Sequence, residues 1–281
     1  MTFWLSRESR LIQFVADVKG SHEQNRQAWD ERARRQLAHT EQAGDAQFAD
    51  PWRYIDDCGW LGRDVAGKRV LCLAAGGGWH GPLFASVGAD LTVVDISPEM
   101  LARDRQIATE RRFKMCLVET SMDDLSMFED GSFEIVIQPV STCYVADINR
   151  VYREVARVTI PNGLYISQHK QPASLQTDSN SSRYVISEPY YRSGPLPSAP
   201  ESSLHREAGT LEYLHRWDDL LGGLCRSGFV VEDVAEPHHG DPHAKPGTFR
   251  HRSWFIPPYI TIKARRTAAP APSAQPQLWT P

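Results

Sequence analysis

Three features that would place a protein in a special class are scarce in this chain of 281 residues. Cysteine occurs only five times, and an odd number of scattered thiols is not typical of a disulfide framework. No stretch reaches the roughly 18 apolar residues that a membrane span needs, and charged residues interrupt the apolar segment before Val18. These absences predict a cytoplasmic protein with no membrane partner.

An excess of positive charge is also missing. The formal net charge is −4, and the most basic run is the short stretch 263–266. Proteins that bind nucleic acids usually carry a basic stripe on one face. We therefore expect no nucleic-acid partner, and we interpret the basic run as the solvated end of a strand.

The most informative segment is 70–81, in which an apolar, strand-like run leads directly into a cluster of glycines. A helix-like stretch follows, and then a second apolar run that ends at Asp95. In α/β proteins this order of elements binds a nucleoside, because the glycines admit the ligand to the backbone and the acid accepts hydrogen bonds from ribose. The segment predicts a cofactor that contains a nucleoside.

Strand-like and helix-like stretches alternate through the rest of the chain. Strands are predicted at 69–73, 91–95, 114–118, 134–138, 164–168, 229–234 and 259–264, and helices at about 79–87, 98–111, 147–158 and 211–227. Strands that alternate with helices form right-handed crossovers and a mostly parallel sheet. The pattern predicts a Rossmann-like, doubly wound α/β fold with a seven-stranded sheet.

Segments outside this alternation divide the chain further. Residues 1–60 are predicted to form a helical cap, with Ser21 as the N-cap of a charged helix, and 61–266 the cofactor-binding domain. The stretch 170–210 is rich in proline and serine, and it is interpreted either as a lid or as a variable surface loop. The proline-rich stretch 267–281 predicts a disordered tail.

Five segments of the chain resemble, in their order along it, motifs of the class I S-adenosylmethionine-dependent methyltransferases. Residues 70–78 are similar to the first motif of that family, and 95–101 to the second, in which a ribose-binding acid precedes a Ser-Pro helix start. Residues 130–136, 154–163 and 215–229 resemble the approach to strand four, a helix that ends in a Pro-x-Gly turn, and the last helix. The resemblance implies methyl transfer from S-adenosyl-L-methionine to a small-molecule acceptor.

The resemblance also implies a set of cofactor-binding residues. These are Trp29, Ala74, Gly76, Gly78, Asp95, Ile96, Ser121, Met122 and Gln138. The glycines would pass close to the methionine part of the cofactor, Asp95 would bind both ribose hydroxyls, and Ile96 and Met122 would enclose the adenine. Trp29 lies on a helix similar to the one that covers the cofactor, and it is equally a candidate for packing that helix onto the sheet.

Three positions depart from the family pattern. Cys72 stands where the first motif usually has an acid, and Ala74 where its turn usually has the first glycine. Ser121 aligns with the acid that commonly contacts the adenine amino group. These departures keep a second hypothesis open, namely a non-catalytic cofactor-binding protein with the same fold.

Methyl transfer requires alignment of the acceptor, and it requires a base only when the acceptor is a hydroxyl or an acidic carbon. Tyr144, His169 and His215 are the candidate catalytic residues, because each is expected to face the cleft. His80 follows the glycine turn and is a candidate contact for the cofactor carboxylate. Which acceptor atom is methylated, and the oligomeric state, are left open by the sequence.

Two further alternatives were weighed. The spacing of Gly76, Gly78 and Gly81 also matches the fingerprint of NAD-dependent oxidoreductases, but the later motifs do not belong to that class. The histidine-rich stretch 238–251 has ligand types that suit zinc or nickel. It lacks a defined ligand spacing, so we interpret it as a solvated loop and predict no metal site.

Overall fold

A computed structural model of the chain describes residues 7–177 and 183–267, with side chains from residue 19 onward. Its seven strands are β1 Arg69–Leu73, β2 Asp90–Asp95, β3 Met115–Glu119, β4 Phe133–Gln138, β5 Thr159–Lys170, β6 Phe229–Ala235 and β7 Tyr259–Arg266. They form one sheet in the order β3-β2-β1-β4-β5-β7-β6. The strands β1 to β5 pair in parallel, and β7 runs antiparallel between β5 and β6. The predicted seven-stranded, mostly parallel sheet is confirmed.

Helices cover both faces of this sheet. The described helices are α1 Arg7–Arg34, α2 Asp45–Ala49, α3 Trp52–Ile55, α4 His80–Ser86, α5 Pro98–Arg111, α6 Ile148–Val158, α7 Pro172–Gln176, α8 Gly223–Arg226 and α9 Phe249–Phe255. One buried cluster joins the sheet to α6 and α8, and a second joins the opposite face to α4 and α5. The strands are therefore apolar on both sides, as a doubly wound sheet requires.

Two predicted helix boundaries are wrong. Ser21 does not cap a helix, because α1 already begins at Arg7 and Ser21 lies buried within it. The helix predicted at 211–227 forms only as a π-helical turn, Asp218–Gly222, followed by α8. The backbone of 211–213 instead bonds to other segments: the Tyr213 N–H, for example, donates to the Cys143 carbonyl at 2.7 Å.

Capping residues fix where the helices next to the carboxyl edge of the sheet begin. The Ser97 hydroxyl accepts from the Met100 N–H at 3.1 Å, and Pro98 occupies the first position of α5, as predicted. The Asp147 carboxylate caps α6 in the same way. Both caps hold the loops that follow β2 and β4, where open α/β sheets bind ligands.

The stretch 170–210 has its own structure over the part that is described. It begins with α7, and Thr177 pairs with Ile186 in an antiparallel bridge. Leu175 and Leu196 form a small buried cluster with Leu214. The predicted disordered tail, beyond Thr267, lies outside the described residues. Within the described ranges, none of the helices is long and apolar enough to cross a membrane.

Candidate active site

A cavity of about 460 Å³ lies at the carboxyl edge of β1, β2 and β4. Its floor is the turn that follows β1, and its walls come from the segments that follow β2, β3 and β4. The α1 helix covers it with His22, Asn25 and Trp29, and Glu207 of the long insertion closes another side. The volume is within the range of small-molecule sites.

The turn after β1 is shaped by residues in the left-handed region of φ. Ala74 has φ of 48°, and Gly77 and Gly78 have φ of 119° and 80°. At Gly76 the reason for glycine is close approach, since a Cβ there would lie 3.0 Å from three side-chain atoms of Asp95. The absence of that Cβ lets the Gly76 N–H donate to Asp95 Oδ2 at 2.9 Å.

Asp95 presents a carboxylate at the end of β2. Its Oδ1 accepts from the Ser97 N–H at 2.9 Å, and burial raises the pKa of the carboxyl to about 6. Each carboxylate oxygen can accept a second hydrogen bond. Asp95 can therefore receive the two hydroxyls of a ribose, while the backbone N–H groups keep it oriented.

Most of the predicted cofactor-binding residues line this cavity. They are Trp29, Ala74, Gly76, Asp95, Ile96, Ser121 and Met122. Gly78 does not line it, because its Cβ position faces Gln42 and α5 at 3.1–3.3 Å. Gln138 is also absent from the lining. Its amide donates to Ser141 Oγ at 3.0 Å and its oxygen accepts from Tyr165, so it supports the loop beneath the cavity.

The α1 helix is fastened over the cavity by one buried side chain. The Asn25 amide donates to the carbonyls of Tyr144, at 2.9 Å, and Leu211, at 3.1 Å. Its oxygen accepts from the Leu211 N–H at 2.7 Å. Trp29 both lines the cavity and packs against Tyr144, with ring centroids 5.7 Å apart. Both interpretations of Trp29 are therefore compatible with its position.

Of the three candidate catalytic residues, the structure brings only Tyr144 to the cavity. Its hydroxyl donates to Glu207 Oε2 at 2.6 Å, and burial raises its pKa well above the usual value. His169 is buried between Thr142 Oγ1, at 2.7 Å, and Ser167 Oγ, at 2.8 Å, and burial lowers its pKa to about 3. The expectation that His169 faces the cleft is wrong.

His215 does not face the cleft either. It is buried, and its Nε2 lies 2.9 Å from the Thr142 carbonyl, so that ring nitrogen holds the loop after β4. His80 does line the cavity beside the glycine turn. Burial lowers the pKa of His80 to about 4, so the ring is neutral at pH 7.

The sequence analysis missed a buried ionic network on the wall formed by β5 and the insertion. Lys170 Nζ lies 2.6 Å from Glu207 Oε2 and 2.5 Å from Glu212 Oε1. Arg206 pairs with the other oxygen of Glu212. Despite burial, the carboxylates raise the pKa of Lys170, and Lys170 lowers that of Glu207 to about 2. Lys170 and Glu207 also line the cavity.

The histidine-rich stretch is packed rather than gathered around one point. His239 contacts the rings of Phe249 and Tyr259, and His251 Nδ1 lies 2.5 Å from the Tyr184 hydroxyl. Among the side chains described, 19–177 and 183–267, the structure places no three histidine, cysteine or acidic groups where they could hold a metal.

Comparisons with known proteins identify the family. Residues 71–167 match the family model of a methyltransferase domain. The chain is 35% identical over 181 residues to the "uncharacterized methyltransferase YbaJ" of Bacillus subtilis, which covers 63% of this chain and 71% of that relative. The chain belongs to the class I S-adenosylmethionine-dependent methyltransferases. Its cofactor is therefore S-adenosyl-L-methionine, as the resemblance implied, and the NAD-dependent alternative is set aside.

Other relatives of this methyltransferase share shorter or weaker matches. It is 32% identical over 114 residues to a ubiquinone biosynthesis O-methyltransferase of Xanthomonas oryzae, which spans 40% of this chain and 48% of that protein. A solved S-adenosylmethionine-dependent methyltransferase from Mesorhizobium loti matches with a TM-score of 0.59 at 24% identity. The match covers 74% of this chain and 97% of that one. Geranyl diphosphate C-methyltransferase from Streptomyces coelicolor matches with a TM-score of 0.52 at 15% identity. That match covers 73% of this chain and 72% of the other. The structural matches agree with the observed fold.

Proposed function

We propose that this methyltransferase transfers the methyl group to a small-molecule acceptor held in the cavity between α1, the glycine turn and the insertion. The observation that carries this proposal is the cavity itself, which is of small-molecule size and is covered by α1 and Glu207. The names of the Xanthomonas and Streptomyces proteins also refer to small organic molecules.

We further propose which residues hold the cofactor. The Gly76 cradle and the open lone pairs of Asp95 suit a ribose, and the apolar side chains of Ile96 and Met122 suit an adenine. Trp29 would cover the cofactor from α1. When bound, S-adenosylmethionine supplies a methyl group that is already strongly electrophilic at its sulfonium.

The remaining task of the protein is to orient the acceptor and exclude water. We propose that 1–60 acts as a cap and 170–210 as a lid for this purpose. The Asn25 hydrogen bonds support that assignment, because they join the cap to Leu211, just beyond the lid. The ring of Tyr144 packs where the cap and the loop after β4 meet.

A reducing, cytoplasmic compartment is also part of the proposal. All five cysteines are free, and Cys72 and Cys143 are buried in the core. Burial raises the pKa of both thiols, which keeps them protonated and unreactive. Free, buried thiols are typical of proteins from reducing compartments.

Calorimetry tests the cofactor site. We expect S-adenosylmethionine and its demethylated product to bind in the micromolar range, and Asp95→Asn to weaken both by about tenfold or more, which is the loss of ~1.4 kcal/mol. Asp90→Asn, at the exposed start of the same strand, is the control and leaves the affinity unchanged. Equal affinity in wild type and Asp95→Asn would contradict the assignment of Asp95.

A further inference from the structure

One oxygen of a buried carboxylate faces the acceptor side of the cavity. Glu207 Oε2 accepts from the Tyr144 hydroxyl and from Lys170 Nζ, both at 2.6 Å. Within the described parts of the chain Oε1 accepts no hydrogen bond, and His39 Nε2, on a mostly exposed side chain, lies 3.8 Å away. Glu207 lines the cavity although it is only 6% exposed, so Oε1 is a hydrogen-bond acceptor available to a molecule bound there.

The surroundings of Glu207 keep it negatively charged. Lys170 and the Tyr144 hydroxyl both bond to the carboxylate, and they hold its pKa at about 2 although the group is buried. A carboxylate of this kind accepts hydrogen bonds and stabilises a positive charge, but it is a poor base. It therefore suits an acceptor whose reacting atom becomes positive during transfer.

The other residues that line the cavity also favour a positively charged group. Four aromatic side chains, Trp29, Trp79, Tyr144 and Tyr259, line it together with Glu207, and aromatic faces attract cations. Among the described lining residues Lys170 is the one lysine or arginine, and its ammonium is bound by two carboxylates. The lining beside Glu207 is thus aromatic, while the other two acids of the cavity, Asp95 and Glu41, lie at the end of β2 and at an exposed position.

We propose that the methyl acceptor is a primary or secondary amine whose N–H donates a hydrogen bond to Glu207 Oε1. This inference rests on the proposed function of the cavity, and it assigns the substrate class that the cavity takes. The aromatic side chains contact the carbon skeleton of the amine, and the carboxylate sets the direction of its nitrogen.

An alkylamine is an ammonium ion at pH 7, so it first releases a proton to water, and its neutral form then reacts without a protein base. The nitrogen lone pair forms the new N–C bond as the C–S bond breaks, and the electron pair of the broken bond stays on sulfur. The positive charge moves from sulfur to nitrogen, beside Glu207, and the methylated ammonium later loses a proton to water. A carboxylate placed where charge develops stabilises that transition state. A hydroxyl acceptor would need its proton removed, which this carboxylate does poorly.

Binding to the complex with S-adenosylhomocysteine tests the substrate class without requiring turnover. The probes are benzylamine, hexylamine and cyclohexylamine, each paired with the alcohol of the same carbon skeleton, and the measurement is calorimetry at pH 7. We expect at least one amine to bind about tenfold more tightly than its alcohol. A panel in which no amine binds more tightly than its alcohol overturns the proposal.

Variants of Glu207 test the role of the carboxylate. Glu207→Gln should abolish the preference for amines, and Glu207→Asp, which keeps the charge, should restore part of it. Glu41→Gln removes an exposed acid from the same cavity and is the control for net charge, with the preference retained. An unchanged preference in Glu207→Gln overturns the proposal. Each variant is first titrated with S-adenosylhomocysteine, so loss of the cofactor site or of the fold is separated from loss of amine binding.

Discussion

Removal of the Lys170 ammonium is the sharpest test of the buried network. In Lys170→Met, Glu207 and Glu212 lose their shared cation, although Glu207 keeps the Tyr144 hydroxyl and Glu212 keeps Arg206. The Lys170 side chain is 2% exposed and those of the glutamates are 6% and 0% exposed, so the two carboxylates stay largely shielded from water when the ammonium is removed. Breaking a buried pair from one side costs about 3–5 kcal/mol. We expect the free energy of unfolding to fall by that amount.

Urea unfolding measures the loss, and two further variants control it. Lys68→Met removes a surface pair with Asp64, a side chain that is 74% exposed, and should cost less than about 1 kcal/mol. Adding Glu212→Gln to Lys170→Met should restore part of the stability, because one buried charge is then removed. A loss below about 1 kcal/mol in Lys170→Met would refute the reasoning, since it would mean that the ammonium does not compensate the carboxylates.

The pH dependence of the free energy of unfolding tests the same network independently. In the wild type the folded pKa of Glu207, about 2, lies below its ordinary value of 4.5. Its contribution to stability is present above pH 4.5 and is lost as the pH falls towards 2. In Lys170→Met the two buried carboxylates lose their shared cation and acquire raised pKa values, so the stability of the variant falls as the pH rises. The difference between the two proteins should therefore be larger at pH 8 than at pH 5.

Three further variants test other parts of the site. Gly76→Ala places a Cβ 3.0 Å from Asp95, and it should weaken S-adenosylmethionine binding by about tenfold or more in calorimetry, whereas Gly20→Ala, with open space around it, should not. Asp104 is buried with its pKa raised to about 7, above the ordinary 3.8, so stability is lost as the pH rises from 3.8 to about 7; Asp104→Asn should abolish that loss in urea unfolding. Asn25→Ala leaves backbone groups of two segments without partners, and it should cost about 2–3 kcal/mol and speed hydrogen exchange in α1.

The geometry of the turn after β1 and of Asp95 could be predicted because its determinants are local. The turn after β1, the acid that ends β2 and the Ser97 cap lie within a short stretch, and each has a backbone role that restricts the residue type. The alternation of strands and helices likewise predicted the sheet. The N-terminal helix was predicted to begin at Ser21 rather than at Arg7, because serine is a typical N-cap residue but here lies inside the helix.

The ionic network around Lys170 could not be predicted, because its residues meet only through tertiary structure. Lys170 contacts Glu207 and Glu212 across 37 and 42 positions of an insertion that has little periodicity. The choice of His169 was wrong for a more specific reason. Successive side chains of a strand face opposite sides, so Gln168 and Lys170 line the cavity while His169 points to Tyr152 in the core. Applying the two-residue period to β5 would have favoured Lys170.

Tyr144 links the two halves of the site. Its carbonyl accepts from Asn25 of α1, and its hydroxyl donates to Glu207 of the insertion. Its ring packs edge-on against Trp29, which lines the same cavity. Because one residue joins the cover of the cofactor to the carboxylate on the acceptor wall, displacement of α1 would disturb both sides at once. The proposed cap and the proposed acceptor contact are therefore parts of one hydrogen-bonded unit, and the order of the cap and the position of the Glu207 carboxylate depend on each other.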